Sequence, residues 1–442
     1  MTFERFSFDS VESINTALAD LGLELPCSSS LASLHKPVPL GSYTVPNAWA
    51  CHPMEACDGT ADGAPGPLTF RRYERFAAGG AGLIWFEASA VRPDGRAVPR
   101  QLFITRDNIQ AFADIRKRIA TVAKETGNGD PVCVLQLTYS GRWNKPVDKT
   151  PSPVIAYRNP TLDPIRNIES DEQIISDDEL RQLEDAYVEN AILAEKAGFE
   201  GVDMKGCHLY LVSELLSGRS RKGEYGDTFE GRTRFLRNVF QKVRQAVRSD
   251  FILSTRLNLY DGIPYPNGWG MNPDGTLTPD FTEPLKLIGL LKELGLSLLN
   301  VTMGTPYLNP HVNRPYDQGG YVPPESQLVG VHRLLNGARA VREAYPDLPV
   351  VGTGFSWLRH FAPFYAAGCL EKDWITFAGM GRQTFAYPDF AVDARDRGGF
   401  QKEKCCICCG KCSEMLRAGR KSGCIVRDQE IYVPLYKELT GQ

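Results

Sequence analysis

No stretch of this 442-residue chain approaches the ~18 consecutive apolar residues that a membrane span requires. The start, Met1 to Ser10, lacks the basic flank and apolar run of a secretory signal. A cytoplasmic protein is therefore the expectation. Neither sign of charge dominates: 50 Lys and Arg stand against 53 Asp and Glu, for a net charge of −3. That balance removes a strong electrostatic case for nucleic acid. Internal repeats and low-complexity segments are absent, and no G-x-G-x-x-G follows a strand-like run. What is present, 42% hydrophobic and 23% charged residues, fits a globular chain with a sizeable core. A soft prior of ~150 residues per domain gives roughly three domains, although a large α/β barrel uses this length as one.

Cysteine is not scarce. There are 12, and six of them fall between Cys405 and Cys424. Scattered ones such as Cys27, Cys133 and Cys369 read as small buried apolar residues. A secreted disulfide framework would distribute its pairs through a much smaller chain, so the cluster needs a local explanation.

Strand-like runs alternate with helical patterns, the signature of βα units and a parallel sheet. Strands are expected near Thr44–Ala50, Gly82–Ala88, Val132–Thr138, Gly201–Lys205, Phe251–Leu257, Leu296–Thr302, Leu348–Gly352 and Asp373–Ala378. Between them the spacing predicts a helix over Asp177–Ala197, capped by Asp177 or Asp178. Its apolar stripe is Leu180, Leu183, Tyr187, Ala191 and Ala194, with Glu179 and Glu184 on the outer face. A second helix, Phe229–Val247, has Asp227 and Thr228 as candidate caps and Phe235, Val239 and Val243 at helical spacing. Val11–Leu21 reads as a short amphipathic helix outside the barrel.

Eight strands with intervening helices favour an α/β fold of the (β/α)8 TIM barrel type, with a doubly wound open sheet as the alternative topology. Gly141–Ser176, Asn258–Pro279 and Met303–Pro324, rich in Pro, Gly, Asn and Tyr, follow expected strands. In such a barrel the loops after strands build the active site.

The fourth strand runs into Lys205-Gly-Cys-His208-Leu-Tyr210. Polar residues at that end of a barrel strand face the active-site mouth, although a satisfied histidine and a solvated lysine explain an isolated triplet as well. Here the segment resembles the Old Yellow Enzyme family of FMN-dependent ene-reductases, whose fourth strand carries a His-x-x-His/Asn-x-Tyr motif. Leu215-Leu-Ser217, Arg221, Tyr225-Gly226, Glu230 and Arg232-Thr-Arg-Phe235 continue the likeness. Upstream, Pro53-Met54, Gly79-Gly80, Glu87-Ala88, Gly95-Arg96 and Gln136 through Gly141-Arg142 resemble the first three barrel units. Most of residues 47–389 is covered, with the motifs in family order.

The resemblance implies roles position by position. Lys205 and His208 would hold a substrate carbonyl and Tyr210 would donate a proton. Pro53, Met54 and Ala88 would pack against FMN, Gln136 would hydrogen-bond the ring edge, and Arg256 would stabilise charge near N1 and C2=O. Gly354 and Phe355 after the seventh strand, with Gly381 and Arg382 after the eighth, would supply the phosphate with N–H donors and a cation. Two departures stand out: Lys205 occupies the place of the first carbonyl-binding histidine, and Glu55 follows Pro53-Met54 where Thr or Cys is usual.

Cys405, Cys408, Cys412 and Cys424 form a C-x2-C-x3-C-x11-C pattern. By spacing alone, four such thiolates suit a 4Fe–4S cluster or structural zinc. The spacing resembles that of bacterial 2,4-dienoyl-CoA reductases and approximately that of trimethylamine dehydrogenase, which join a related barrel to a 4Fe–4S centre. The implied organisation is an N-terminal extension (1–40), an FMN-binding barrel (41–395) and a C-terminal iron–sulfur segment (396–442). Those relatives continue into a nucleotide domain, and this sequence is expected to lack one. Electrons would then come from a separate donor protein through the cluster, or from NAD(P)H at the flavin.

The function expected is reduction of activated alkenes, such as α,β-unsaturated carbonyl compounds, by an enzyme that acts on small molecules and possesses no nucleic-acid or membrane partner; a homo-oligomer is compatible. Two alternatives stand beside it. One is oxidation of amines as in trimethylamine dehydrogenase, with Trp49, Tyr139, Trp269 and Tyr307 as candidate pocket aromatics. The other is an electron-transfer flavoprotein subunit.

Overall fold

In a computed structural model that describes residues 3–148 and 150–441, eight parallel strands close into a barrel. A short antiparallel hairpin, β1 (Val38–Leu40) and β2 (Tyr43–Val45), precedes it. The barrel strands are β3 (Trp49–Cys51), β4 (Leu83–Ala90), β5 (Val132–Thr138), β6 (Gly201–Met204), β7 (Ile252–Asn258), β8 (Leu296–Thr302), β9 (Val350–Gly352) and β10 (Phe377–Met380). Each pairs with its sequence neighbour, and β10 returns to β3. This is the (β/α)8 barrel expected, and the open-sheet alternative does not apply.

The first expected strand, Thr44–Ala50, is two elements. Asn47 divides them: its Oδ1 accepts N–H bonds from Trp49 and Gly82, both at 3.0 Å, and its Nδ2 donates to the Gly80 carbonyl. Tyr43–Val45 therefore pairs back on the hairpin, whose Leu40 and Val45 pack with Trp85, Val134 and Phe377. The hairpin thus stoppers the end of the barrel opposite the strands' C-termini. The last strand starts later than expected because Asp373 has φ 57° and the Trp374 N–H bonds back to Cys369.

Helix Asp177–Lys196 is capped by Ser176, not by Asp177 or Asp178. Ser176 and Glu179 form a reciprocal capping box, and Asp177 is drawn off to Arg221. Glu184, expected on the outer face, is buried, where it accepts from Tyr225 Oη and Asn238 Nδ2 at 2.9 Å and pairs with Lys242. The five-residue apolar stripe is buried as expected, as are Phe235, Val239 and Val243 on the helix Phe229–Ala246, which Thr228 caps.

The N-terminal helix, Val11–Asp20, buries Ile14 and Leu18 in the same hydrophobic cluster as the barrel's outer layer. Tyr365 Oη donates to Asn15 Oδ1 at 2.9 Å, tying it to the helix Ala362–Glu371. Cys133 and Cys369 are buried, but Cys27 is exposed. The C-terminal helix, Gln429–Thr440, has its own small cluster of Met415, Ile425 and Tyr432. Asp428 at its start clamps it to the barrel through Arg71 and Arg75, each at 2.6 Å. No helix among the described residues is long and apolar enough to cross a membrane.

Candidate active site

At the C-terminal ends of the strands lies a cleft of about 1000 Å³. After β6 the chain makes a tight turn in which His208 and Leu209 both have positive φ, 65° and 55°. Such backbone strain persists only where neighbours fix it. Here Thr305 Oγ1 donates to the His208 carbonyl at 3.1 Å and Trp143 Nε1 donates to the Leu209 carbonyl at 2.8 Å. The turn puts Lys205, His208 and Tyr210 on one wall of the cleft.

Lys205 does not stand alone. Its Nζ pairs with Glu55 at 2.9 Å and lies 3.7 Å from the centre of the Tyr210 ring. Tyr210 Oη is 3.3 Å from the same Glu55 oxygen and 3.1 Å from Tyr307 Oη. Trp143 stacks on Tyr307 with ring centres 3.9 Å apart. Burial and the Glu55 charge hold the Tyr210 hydroxyl well above the ordinary phenol range, so it is a proton carrier and not a phenolate. Glu55 is itself positioned from beneath: Ala56 N–H donates to Glu87 at 3.0 Å, and buried Arg72 bridges Glu87 and Asp58.

Asn313 Nδ2 donates to the Met303 carbonyl at 3.1 Å and lies 3.0 Å from His208 Nε2. An amide nitrogen only donates, so Nε2 accepts and the ring proton sits on Nδ1. Burial, with Arg256 and Lys205 nearby, lowers the His208 pKa well below its usual value and keeps the ring neutral.

The adjoining wall is organised by Asp203, on β6 two residues before Lys205. Its carboxylate accepts from Gln136 Nε2 (2.6 Å), Trp85 Nε1 (2.8 Å) and the Arg256 N–H (2.6 Å), which locks β4, β5 and β7 around it. Gln136, Arg256, Pro53 and Met54 line the cleft, as do Gly354, Gly381 and Arg382. Ala88 and Phe355 do not: Ala88 is buried with its carbonyl bonded to Gln101, and Phe355 lies in the core cluster. His52 also lines it, held by Asn300 and Thr353 at 3.1 Å each. Gly379 makes room for that ring, since a Cβ there would sit 2.2 Å from His52 Nε2.

Two buried guanidinium nitrogens on this wall have no partner among the described residues, Arg256 Nε and Arg382 Nη1. Native structures rarely leave such donors unpaired. With the glycine loops, of which Gly354 has φ 120°, they fit a flavin carrying an electron-rich ring edge and a phosphate.

Beside the cleft is a second cavity, about 380 Å³, walled by all six clustered cysteines. Arg382, Phe385 and Cys412 line both cavities. Cys405 Sγ donates to the Gln401 carbonyl and Cys408 Sγ to that of Ser356. The thiols are gathered but not converged: among the described residues no three Cys, His, Asp or Glu side chains are placed to hold a metal. One cavity walled by thiols and the cations Arg382 and Arg427 is chemically suited to an anionic iron–sulfur group.

Of the four aromatics considered for an amine pocket, only Tyr307 lines the cleft. Trp49 packs on Phe390 and Phe400, Tyr139 donates to Asp94, and Trp269 donates to the Asn258 carbonyl. Sequence reasoning did not anticipate His52, Asn313 or Arg314. His52 carried a usable signal, since it directly precedes Pro53-Met54 at the end of a strand. Asn313 ends and Arg314 caps a single helical turn, Pro310–Asn313, inside a long connection with no spacing to mark them.

Residues 33–273 match the NADH:flavin oxidoreductase / NADH oxidase family. An NADPH dehydrogenase of Bacillus pumilus (strain SAFR-032) is 29% identical over 247 residues, 55% of this chain and 64% of that one. An NADH oxidase of Thermoanaerobacter brockii is 23% identical over 376 residues, covering 84% of this chain but 52% of its own length. The chain therefore spans less than two thirds of either relative. Among solved structures, a 2-naphthoyl-CoA reductase in complex with 2-naphthoyl-CoA superposes with a TM-score of 0.71 at 17% identity, covering 90% of this chain and 57% of that one. The family match takes in the barrel from its floor hairpin to the loop after β7, with the Lys205–Tyr210 wall inside it, and on that ground the chain belongs to the NADH:flavin oxidoreductase / NADH oxidase family.

Proposed function

We propose that the protein is an FMN- and 4Fe–4S-dependent reductase of activated alkenes, such as α,β-unsaturated carbonyl compounds. The observation that carries this reading is the hydrogen-bonded chain Tyr307–Tyr210–Glu55–Lys205 beside a neutral His208, in a cleft also lined by two guanidinium groups that each keep one buried nitrogen without a partner among the described residues. FMN, when bound, supplies a hydride from N5 to the β-carbon. Lys205 and His208 orient the carbonyl and favour negative charge on its oxygen as that charge develops. Tyr210 Oη gives a proton to the α-carbon, Glu55 holds that hydroxyl in place, and Tyr307 Oη passes it a replacement proton and is itself reprotonated from solvent. Gln136, Arg256 and Met54 hold the ring, while Gly354, Gly381 and Arg382 hold the phosphate. Cys405, Cys408, Cys412 and Cys424 hold the cluster. Electrons reach the flavin from a separate donor protein through it, or from NAD(P)H.

Amine oxidation has one observation in its favour: Glu55 offsets the Lys205 charge that would repel a cationic substrate. Anaerobic assays with dithionite-reduced enzyme against a panel of enones, and with oxidised enzyme against tertiary amines, separate the two. The expected result is enone reduction with loss of the β-unsaturation and incorporation of one solvent proton at the α-carbon. Oxidation of amines with no activated alkene reduced would overturn the reading.

A further inference from the structure

The cleft opens into a vestibule of about 880 Å³, and the two share Glu55, Tyr307 and Arg314. Among the described residues its wall has one carboxylate, Glu55, which Lys205 already holds, and three arginines: Arg166, Arg314 and Arg417. Several buried arginines elsewhere in the molecule are paired with carboxylates: Arg72 with Asp58, Arg116 with Glu200, Arg142 with Glu214, Arg232 with Glu283. No ion pair or side-chain hydrogen bond engages Arg166, Arg314 or Arg417 among the described residues. Arg166 lies over the Trp143 ring at 4.8 Å, and its Nε is buried without a partner.

Arg166 and Arg314 are half-buried and Arg417 is exposed at the rim. Grouping such guanidinium charges without counter-charge is unfavourable, because they repel one another and the half-buried two lose solvation. Burial and the neighbouring Arg382 pull the Arg314 pKa down to about 10. Neither Arg166 nor Arg417 lines the inner cleft or the cysteine cavity, so neither the flavin nor the cluster accounts for their charge.

We infer that the vestibule binds an anionic substituent of the substrate, a carboxylate or a phosphate, while the conjugated end of the same molecule enters the cleft beside Tyr210. The inference rests on the reading of the cleft as an alkene-reducing site. Arg166 and Arg417 clasp the anion, the stacked Trp143–Tyr307 pair forms the apolar side of the passage, and Arg314 stands where vestibule and cleft meet. A substrate with a charged tail is thereby oriented with its alkene inward.

The test is calorimetric titration of the flavin-loaded enzyme, in low salt, with levulinate and its longer homologues, the methyl esters of each, and matching phosphonates. At least one acid or phosphonate should bind ~10-fold or more tighter than its ester, the gain expected of a charge-assisted hydrogen bond. That ratio should fall toward one in Arg166→Gln and in Arg417→Gln, and with added salt. Tighter binding of phosphonate than carboxylate identifies phosphate as the natural group, and the reverse identifies carboxylate. Equal binding of acids and esters throughout the series, or a preference that survives both substitutions, overturns the inference. Turnover is scored separately with acetylacrylate and its methyl ester. Reduction of both with no preference for the acid counts against the vestibule alone. Preferential acid binding with no reduction of any alkene counts against the reductase reading and leaves the anion site standing.

Discussion

The flavin-facing wall and the cysteine segment lie side by side and share Arg382, Phe385 and Cys412, yet they are built on opposite principles. On the barrel wall, polar groups fix one another before any ligand arrives. Asp203 takes three donors, Asn47 ties the start of β3 to the turn before β4, and Asn313 sets the tautomer of His208. In the cysteine segment the thiols make weak bonds to carbonyls of the chain, and the loop passes through positive φ at Cys408 and Gly410. Strands can hold a site to sub-ångström tolerance because their backbone is paired on both sides. A loop of thiols acquires its geometry from the metal it binds, and binding energy there is folding energy. The barrel should therefore tolerate loss of the cluster, whereas the cluster site should not tolerate loss of a ligand.

The sharpest way to break this contrast is to remove ligands singly. Cys405→Ser, Cys408→Ser, Cys412→Ser and Cys424→Ser are each expected to abolish the iron–sulfur absorption and labile sulfide, while Cys406→Ser and Cys409→Ser keep both. Flavin content should persist in all six. Iron retained in Cys408→Ser but lost in Cys409→Ser would place the ligand frame one residue later.

On the barrel side, Lys205→Ala, His208→Ala and Tyr210→Phe should bind FMN yet lose ~10²–10³-fold in alkene turnover, the usual loss on deleting one donor at a developing charge. Tyr210→Phe differs in kind: the reductive half-reaction with the electron donor is untouched, and only the oxidative half slows. Stopped-flow traces of the two halves check this.

Asp203→Ala would strand Gln136, Trp85 and the Arg256 N–H without their acceptor. Each buried unsatisfied donor costs about 1–3 kcal/mol, so a loss of ~3 kcal/mol in denaturant unfolding is expected. Removing the floor of the site should cost more stability than any cysteine substitution, because the cysteine cavity is already loosely bonded.

The smallest effect concerns pH. A His208 held neutral by burial and by Arg256 should produce no inflection in kcat between pH 5.5 and 7.5, bracketing the ordinary histidine value of 6.5. A one-proton loss of activity near 6.5 would mean that the imidazole is reached by solvent and charged.

The barrel was legible in the chain because its period is. Val132–Thr138 and Leu296–Thr302 are bounded as their apolar runs are, and both are buried throughout or nearly so. What was not legible depends on partners distant in sequence. Glu184 looks outward by its position on the helix, and only Tyr225, Asn238 and Lys242 draw it inward. Lys205 reads as a free cation until Glu55, 150 residues earlier, pairs with it. Ser176 wins the cap from Asp177 because Arg221, far along the chain, competes for the aspartate. Local pattern records secondary structure, while charge pairing is settled by topology.

The central claim is that one chain holds a flavin in a pre-bonded barrel and an iron–sulfur cluster in a cavity the metal itself completes. Anaerobic determination of flavin, iron and acid-labile sulfide on purified protein tests it most directly. One FMN with one four-iron, four-sulfide cluster per chain is the expected result. Stoichiometric zinc with no labile sulfide, or a protein that retains no flavin, would contradict it.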